Sequence, residues 1–234
     1  MNKRQVIFVI VEGISDEISL KSIFEELFLN DEIHIEVVRG DITADNKVNS
    51  RNIKKKLGDL INKSISKSYF KKSDFKEIIH IVDMDGAYVS NEYICSNTNL
   101  NKVEYSPNNI ITKNVDDIIE RNIRKRENLD TICNLEKICG EIKYKVVYMS
   151  CNLDHVLFNK LNISDDEKEK LSYEFAKKYS DDIDSFKEFI FNSDFSYKGN
   201  FKESWSYIKE DSNSLKRKTN LNLCISEILE KNES

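Results

Sequence analysis

Carboxylates follow two apolar stretches of the sequence, at a spacing that could bind a hard metal ion. Glu12 directly follows the apolar run VIFVIV, residues 6–11, and Asp83 and Asp85 close a second run, EIIHIVDMD. Asp16 lies four positions after Glu12, about one helical turn further along the chain. Carboxylates that share a site cannot all ionise without compensation. The usual compensation is a divalent cation with oxygen ligands, Mg²⁺ or Mn²⁺.

Each of these acids also has a purely structural explanation. Asp16 would stabilise the start of a helix through the helix dipole, and Asp83 and Asp85 would be turn residues before Gly86. Glu12 is harder to explain in this way, because a carboxylate at the end of a buried strand needs a partner. Taken together, the acids favour a shared site over chance decoration of a sheet edge.

The elements around these acids alternate between strands and helices. Strands are predicted at 5–11, 33–38, 77–83 and 144–150. Helices are predicted after an N-cap at Ser15, at 50–68 and at 115–139. Gly140 would cap the third helix, and a polar loop around Pro107 would precede it. Because repeated strand–helix–strand units form parallel sheets, we predict an α/β fold with a four-stranded parallel sheet flanked by helices. Ligands bind such sheets at the carboxyl ends of the strands, which is where the acids stand.

The strand pattern stops near residue 150. Ser164 and Glu167 have the spacing of a helix capping box, and further apolar helical patterns follow it. We therefore divide the chain into an α/β metal-binding core, 1–150, and a helical C-terminal extension, 151–234.

Composition narrows the class of protein. The 234 residues are 39% hydrophobic and 33% charged, with a net charge of −5, which argues against a general nucleic-acid coat but not against a metal-dependent enzyme. The basic cluster at 121–126 is interpreted as a solvated helix face. The five cysteines contain no CxxC pair, so neither a disulfide framework nor a structural zinc site is expected.

Neither a signal peptide nor a membrane span is evident, so we expect a cytoplasmic protein.

The motifs VIVEGISDEISL and IIHIVDMDG resemble those of the Toprim domain. Topoisomerases, bacterial primases, ribonuclease M-five and the OLD (overcoming lysogenisation defect) nucleases with their small phage-defence relatives share this domain. The family pattern is a glutamate after the first strand and a DxD after the third, on a compact parallel α/β fold. Glu12, Asp83 and Asp85 match this pattern, and the spacing from Glu12 to Asp16 resembles the OLD-type nucleases. The resemblance covers residues 5–150.

The resemblance implies a Mg²⁺- or Mn²⁺-dependent nuclease that cleaves phosphodiester bonds of DNA or RNA, with a role in antiviral defence. It implies that Glu12, Asp83 and Asp85 hold the first metal, that Asp16 shares or bridges it, and that Glu12 could instead act as a general acid or base. Residues after the fourth strand would assist a second metal, and a later lysine would assist the transition state. The candidates for these two roles are Ser150, Asn152 and Asp154, and Lys198.

The same resemblance bears on partners. The accessory domains of topoisomerases and primases are missing at this length, which favours nuclease activity. The ATPase domain of full-length OLD proteins is missing too, so a motor would be a separate ATPase or defence-complex partner. A homodimer would suit the basic helices and the helical tail.

Two other readings stay open. The stretch IVDMDGAY resembles the first motif of haloacid-dehalogenase-type phosphatases, in which Asp83 would be the nucleophile and Asp85 the acid/base. In that family the motif lies on the first strand and Thr or Val follows the glycine, whereas here it lies on the third and Ala87 follows. The other reading is a non-catalytic Toprim-like sensor or binding subunit of a defence complex.

Overall fold

The computed structural model describes residues 5–233, in which strands and helices alternate through the first two thirds. The strands are β1 (Gln5–Val11), β2 (Asp31–Val37), β3 (Phe75–Asp83), β4 (Ile94–Ser96), β5 (Glu104–Tyr105), β6 (Ile110–Thr112), β7 (Lys137–Ile138) and β8 (Ile142–Met149). The α-helices are α1 (Ile14–Leu27), α2 (Ile53–Lys67), α3 (Val115–Ile132), α4 (Leu153–Phe158), α5 (Asp165–Ser180), α6 (Ile183–Asn192), α7 (Phe201–Ile208) and α8 (Leu221–Glu233). The predicted α/β class is confirmed.

The main sheet has five strands in the order β2-β1-β3-β8-β7. Its first four strands are parallel, and Val9 at the centre of β1 is paired with Ile35 of β2 and Ile79 of β3. Strand β7 pairs antiparallel with β8. The predicted four-stranded parallel sheet is therefore not confirmed, because a fifth strand makes the sheet mixed.

The extra strand forms because α3 ends at Ile132, and not at residue 139 where the sequence pattern places its end. Cys139 and Gly140 then have positive φ angles, of 54° and 104°, and reverse the chain from β7 to β8. Glycine adopts such angles without steric cost. Gly140 thus serves a hairpin turn, and its prediction as a helix cap was wrong.

The segment around Pro107, predicted to be a polar loop, contains a second sheet with the order β4-β6-β5. Ile94 of β4 and Ile110 of β6 are paired and buried, and both pack in one apolar cluster with Leu215. These stretches of two or three residues are too brief to be recognised as strands from periodicity. The small sheet lies beside the turn that follows β3, where Ile110 approaches Gly86.

Alternate residues of β1 enter two different apolar clusters, because successive side chains of a strand point to opposite faces. Val9 lies in a cluster with residues of α1, α4, α5, α6 and α8. Phe8 lies in the other, with residues of α2, α3 and α7. The main sheet is therefore the middle layer of three.

Two predicted helix starts have different outcomes. The Ser164 hydroxyl accepts a hydrogen bond from the Glu167 backbone N–H at 3.2 Å, so Ser164 is confirmed as the N-cap of α5. The Glu167 carboxylate bonds Lys160, so the second half of the predicted capping box is not confirmed. Helix α1, however, begins at Ile14 with Gly13 as its N-cap, so the predicted cap Ser15 already lies inside the helix.

The chain after residue 150 supplies helices α4–α8, which share both apolar clusters with the strands. The division of the chain at residue 150 stays a prediction. None of the helices described within residues 5–233 is long and apolar enough to cross a membrane.

Candidate active site

Glu12 and Asp83 meet at the carboxyl ends of the neighbouring strands β1 and β3. The Asp83 backbone N–H donates a hydrogen bond to Oε1 of Glu12 at 3.2 Å. Oδ1 of Asp83 accepts another from the Leu153 backbone N–H, at the start of α4, at 2.9 Å. Both acids remain partly exposed. Parallel pairing of the two strands thus brings these predicted site residues together.

Asp85 lies in a tight turn directly after β3, with a φ of 49°. Its N–H donates to the Cys151 carbonyl oxygen at 2.6 Å, and its own carbonyl oxygen accepts from Nη2 of Arg121 at 2.8 Å. Gly86 follows with a φ of 66°, and a Cβ there would lie 2.7 Å from Cδ2 of Leu215. The turn therefore needs glycine at position 86 and fixes Asp85 at the sheet edge.

Lys125 of α3, a fully buried lysine, joins Asp85 to a further acid. Its Nζ donates to Oδ2 of Asp85 at 2.6 Å and to Oδ2 of Asp41 at 2.7 Å. Asp41 lies in the loop after β2, and its Oδ1 accepts from the backbone N–H and the hydroxyl of Thr43 at 2.7 Å and 2.5 Å. A buried charge is costly unless it is paired, so Lys125 requires both acids close to its ammonium group. It thereby fixes the positions of the two loops that carry Asp41 and Asp85.

The Lys125 group is ionised at neutral pH. Burial lowers the pKa of Lys125, but the charges of Asp41, Asp85 and Glu12 outweigh burial and leave that pKa well above its usual value. Burial likewise raises the pKa of Asp41, yet Lys125 and the hydrogen bonds from Thr43 outweigh burial, so the net shift is downward. Lys125 and Asp41 therefore form a true ion pair.

Asp16 and Asp154 form a second group around Lys168 of α5. Nζ of Lys168 lies 3.4 Å from Oδ1 of Asp16 and 3.2 Å from Oδ2 of Asp154. Burial lowers the pKa of Lys168, but Asp16, Asp154 and Asp83 outweigh burial and raise it. Oδ2 of Asp16 also accepts the Gly13 N–H at 2.8 Å, so this acid caps α1 as well. Oδ1 of Asp16 and of Asp154 is buried and makes no hydrogen bond within the described residues.

Glu12 and Asp83 have no cationic partner that would stabilise their ionised forms directly. Burial, followed by the charge of Asp41, raises the pKa of Glu12 well above its usual value. Burial, followed by the charge of Asp16, does the same for the pKa of Asp83. Within residues 5–233, neither acid forms an ion pair. Each is therefore poised to take up a proton or to bind a cation.

The donor set suits a divalent ion, but its arrangement is incomplete. Carboxylates outnumber lysines at this edge of the sheet by six to two. The carboxylates are Glu12, Asp16, Asp41, Asp83, Asp85 and Asp154, and the lysines are Lys125 and Lys168. Hard carboxylate oxygens are the ligands that Mg²⁺ and Mn²⁺ prefer. In the described part of the chain, however, no three His, Cys, Asp or Glu side chains are arranged to hold a metal ion. The lysines divide the predicted ligands into two groups instead of one.

Arg121 and Tyr105 border the Asp85 turn on the side of the small sheet. Nη1 of Arg121 donates to the Tyr105 hydroxyl at 2.9 Å, while its Nη2 holds the Asp85 carbonyl. Burial, followed by the charge of Asp85, raises the pKa of Tyr105, which therefore stays protonated. Strand β5 thus contributes a side chain to the edge of the candidate site.

The polar residues proposed for a second metal are otherwise engaged. The Ser150 hydroxyl is buried and donates to the Asn213 carbonyl oxygen at 2.8 Å. Oδ1 of Asn152 accepts the His155 N–H at 2.9 Å and so caps α4. His155 is itself buried. Of these candidates only Asp154, through Lys168, contacts the acid groups.

Lys198 lies elsewhere. It is exposed, and its Nζ donates to the Phe191 carbonyl oxygen at 2.6 Å. Within the described residues it forms no ion pair with any of the acids. The lysines that do contact them are Lys125 and Lys168.

The sequence carried weak signals for the residues that were missed. Asp41 follows β2, whose carboxyl end lies at the same sheet edge as those of β1 and β3. Lys125 is spaced seven residues from both Ile118 and Ile132 on the buried stripe of α3. The interpretation of 121–126 as a solvated face was therefore wrong for Lys125, which is 0% exposed.

Comparisons of this chain with protein-family models, with curated proteins and with solved structures found no match. The Toprim resemblance therefore depends on the two motifs and their order alone.

Proposed function

We propose that this protein is a divalent-metal-dependent nuclease that cleaves phosphodiester bonds of DNA or RNA. The observation that carries the proposal is the meeting of Glu12 and Asp83 at adjacent strand ends, partly exposed and without a cationic partner in the described residues. Two such carboxylates repel each other, and a divalent ion relieves this repulsion while binding the oxygens of a phosphodiester.

Glu12 and Asp83 would hold the ion, and Asp85 would complete the set. Asp85 is bonded to Lys125, which also bonds Asp41. Lys125 can therefore keep its pair with Asp41 when Asp85 turns to a metal. When bound, Mg²⁺ or Mn²⁺ would activate water and stabilise charge on the phosphate.

The chain's own residues have separate roles in this proposal. Glu12, whose pKa is raised by burial, keeps its proton to a higher pH than an ordinary glutamate, which suits a group that gives and accepts a proton. Lys125 and Arg121 act as positioning residues, because they hold the side chain and the backbone of Asp85 respectively. Asp16 and Asp154 would bind a second, weaker ion in competition with Lys168.

Cleavage assays on single-stranded DNA, double-stranded DNA and RNA test the proposal, each with Mg²⁺, with Mn²⁺ and with EDTA. We expect cleavage only with metal, and loss of more than about a hundredfold in Glu12→Gln and Asp83→Asn, since even partners of metal ligands contribute about 10–100-fold. Glu25→Gln and Asp59→Asn are matched controls on exposed positions of α1 and α2. Metal-independent cleavage, or full activity in both site variants, would refute the proposal.

One observation favours the non-catalytic alternative, a Toprim-like binding or sensor subunit of a defence complex. Lys125 and Lys168 already pair with four of the acids, and in residues 5–233 no three donors are arranged for a metal. Such a subunit would not cleave any of the substrates and would gain no stability from Mg²⁺. Release of phosphate from a small phosphomonoester, dependent on Asp83, would instead indicate the phosphatase chemistry.

A further inference from the structure

A separate cleft lies at the opposite end of the main sheet from the acids. It encloses about 740 Å³ between α7, the start of β8, β7 and the end of α8. Glu77 lines it and precedes Asp83 by six residues on the same strand, which places the cleft about 20 Å from the acid edge. A cleft of this volume suits a ligand of small-molecule size.

The cleft is rich in lysine. The lysines that line it are Lys137, Lys143, Lys145, Lys202, Lys209 and Lys231, against the acids Glu77, Glu136 and Glu227. Lys145 and Lys231 pair with Glu227, and Lys209 pairs with Asp130. Lys143 and Lys202 are exposed and form no ion pair within the described residues. The rim therefore offers two free ammonium groups to an anion.

Aromatic side chains form another part of the wall. Tyr144, Phe201 and Trp205 line the cleft, and Lys145 lies 5.4 Å from the centroid of the Phe201 ring. The indole N–H of Trp205 is buried and has no acceptor among the described residues. Buried donors are normally paired, so an unpaired donor on a residue that lines the cleft indicates an acceptor that the described chain does not supply.

Glu77 supplies an acceptor at the base of the cleft. It is 2% exposed, and its carboxylate lies 3.8 Å from Nζ of Lys145 and 3.9 Å from Nζ of Lys231. Both lysines thus form ion pairs with Glu77 at distances too long for hydrogen bonds. The hydrogen-bonding capacity of its carboxylate is therefore not used within residues 5–233. The cleft therefore combines free cations at its rim with aromatic rings, a donor and an acceptor inside.

We propose that this cleft binds a nucleoside polyphosphate, with the phosphates at Lys143 and Lys202 and the base beside Phe201 and Trp205. Lysine ammonium groups bind phosphate as point charges, and aromatic rings can stack on any nucleobase. The Trp205 N–H and the Glu77 carboxylate can bond the polar edge of the base. The inference does not depend on the nuclease proposal, because it involves none of the acids at the other end of the sheet.

The fluorescence of Trp205 reports directly on the cleft, because it is the only tryptophan in the chain. The probe is ATP, titrated in EDTA so that no metal-bound nucleotide can occupy the acid edge. We expect a saturable change in fluorescence, and half-saturation at concentrations roughly tenfold or more higher for adenosine and for inorganic triphosphate, because each lacks one half of the contacts.

The double variant Lys143→Glu/Lys202→Glu should weaken ATP binding by roughly tenfold or more. The matched control, Lys54→Glu/Lys55→Glu, makes the same charge change at exposed positions of α2 and should bind ATP like the unmodified chain. Asp83→Asn should also bind it unchanged, which separates this inference from the nuclease proposal. The inference is overturned if ATP gives no saturable change, if triphosphate binds as tightly as ATP, or if the two lysine double variants behave alike.

Discussion

The backbone N–H of Asp83 donates a 3.2 Å hydrogen bond to Oε1 of Glu12 and so joins two residues that are 71 positions apart. The bond forms because β1 and β3 are parallel neighbours and end at the same edge of the sheet. No lysine or arginine within the described residues pairs with either carboxylate. The unbalanced charge of this pair is what a divalent cation would relieve.

Mg²⁺ should therefore stabilise the folded protein near neutral pH. A ligand that binds only the folded state adds about 2.7 kcal/mol when its concentration is about a hundred times its Kd. Urea unfolding with Mg²⁺ and with EDTA measures this gain. We expect Glu12→Gln and Asp83→Asn to lose most of it, and Glu25→Gln to keep it. An equal gain in all four proteins would mean that Mg²⁺ acts elsewhere on the surface.

Lys125 should be essential for stability, whatever the activity of the protein. Lys125→Met leaves Asp41 and Asp85 without their cation, and breaking a buried pair in this way costs about 3–5 kcal/mol. Urea unfolding measures the loss. Lys54→Met, at an exposed position, should change stability by no more than about 0.5 kcal/mol.

A second comparison separates the lost charge pair from lost packing. Adding Asp41→Asn and Asp85→Asn to Lys125→Met removes the unpaired acids, so the triple variant should recover part of the stability. If Lys125→Met unfolds at the same urea concentration as the unmodified protein, the ion pairs contribute nothing to the fold.

The sequence predicted the sheet edge better than the helix ends. Strands such as β1 and β3 are continuous apolar runs, and a run of this kind identifies a buried strand without knowledge of its neighbours. Strand β7 has only two residues, and the small sheet has strands of two or three. Segments this short are specified by the partners they pair with, which the sequence pattern does not reveal.

The lysines of the candidate site were missed for a related reason. Lys125 and Lys168 lie on helices, where a charged residue ordinarily faces solvent. Each is retained at a buried or half-buried position because acids from other elements and loops offset the cost of its desolvation: Asp41 and Asp85 for Lys125, and Asp16 and Asp154 for Lys168. These pairs join residues that are between 14 and 152 positions apart, so they depend on the folded topology and have no local signature.

Substitution of two glycines by alanine should have opposite effects on stability. Gly86 has a φ of 66°, and its Cβ would lie 2.8 Å from Cδ1 of Ile110, so Gly86→Ala combines strain with overpacking and should cost about 1–3 kcal/mol. Gly58 lies inside α2 and its Cβ would make an ordinary contact of 3.8 Å, so Gly58→Ala should stabilise by about 0.5–1 kcal/mol. Urea midpoints measure both changes. The same sign for both variants would contradict the turn geometry that fixes Asp85.

The raised pKa values of Glu12 and Asp83 predict a specific dependence of stability on pH. In EDTA the folded protein keeps protons on these carboxyl groups that the unfolded chain releases above pH of about 4. The unfolded state then binds fewer protons, so this contribution to stability falls as pH rises from about 4 toward the raised values. Glu12→Gln cannot lose a proton, and its amide oxygen can still accept the Asp83 N–H. Its free energy of unfolding should therefore increase relative to that of the unmodified protein across this interval.

Glu25→Gln is the matched control for this profile, because Glu25 is an exposed acid on α1. Urea unfolding in EDTA at a series of pH values should give parallel curves for Glu25→Gln and the unmodified protein, and a diverging curve for Glu12→Gln. With Mg²⁺ at neutral pH the divergence should shrink, because a bound cation stabilises the ionised form of Glu12 that the variant lacks. A curve for Glu12→Gln that stays parallel at every pH would show that Glu12 is already compensated in the fold, and would remove the physical reason for a metal at this edge of the sheet.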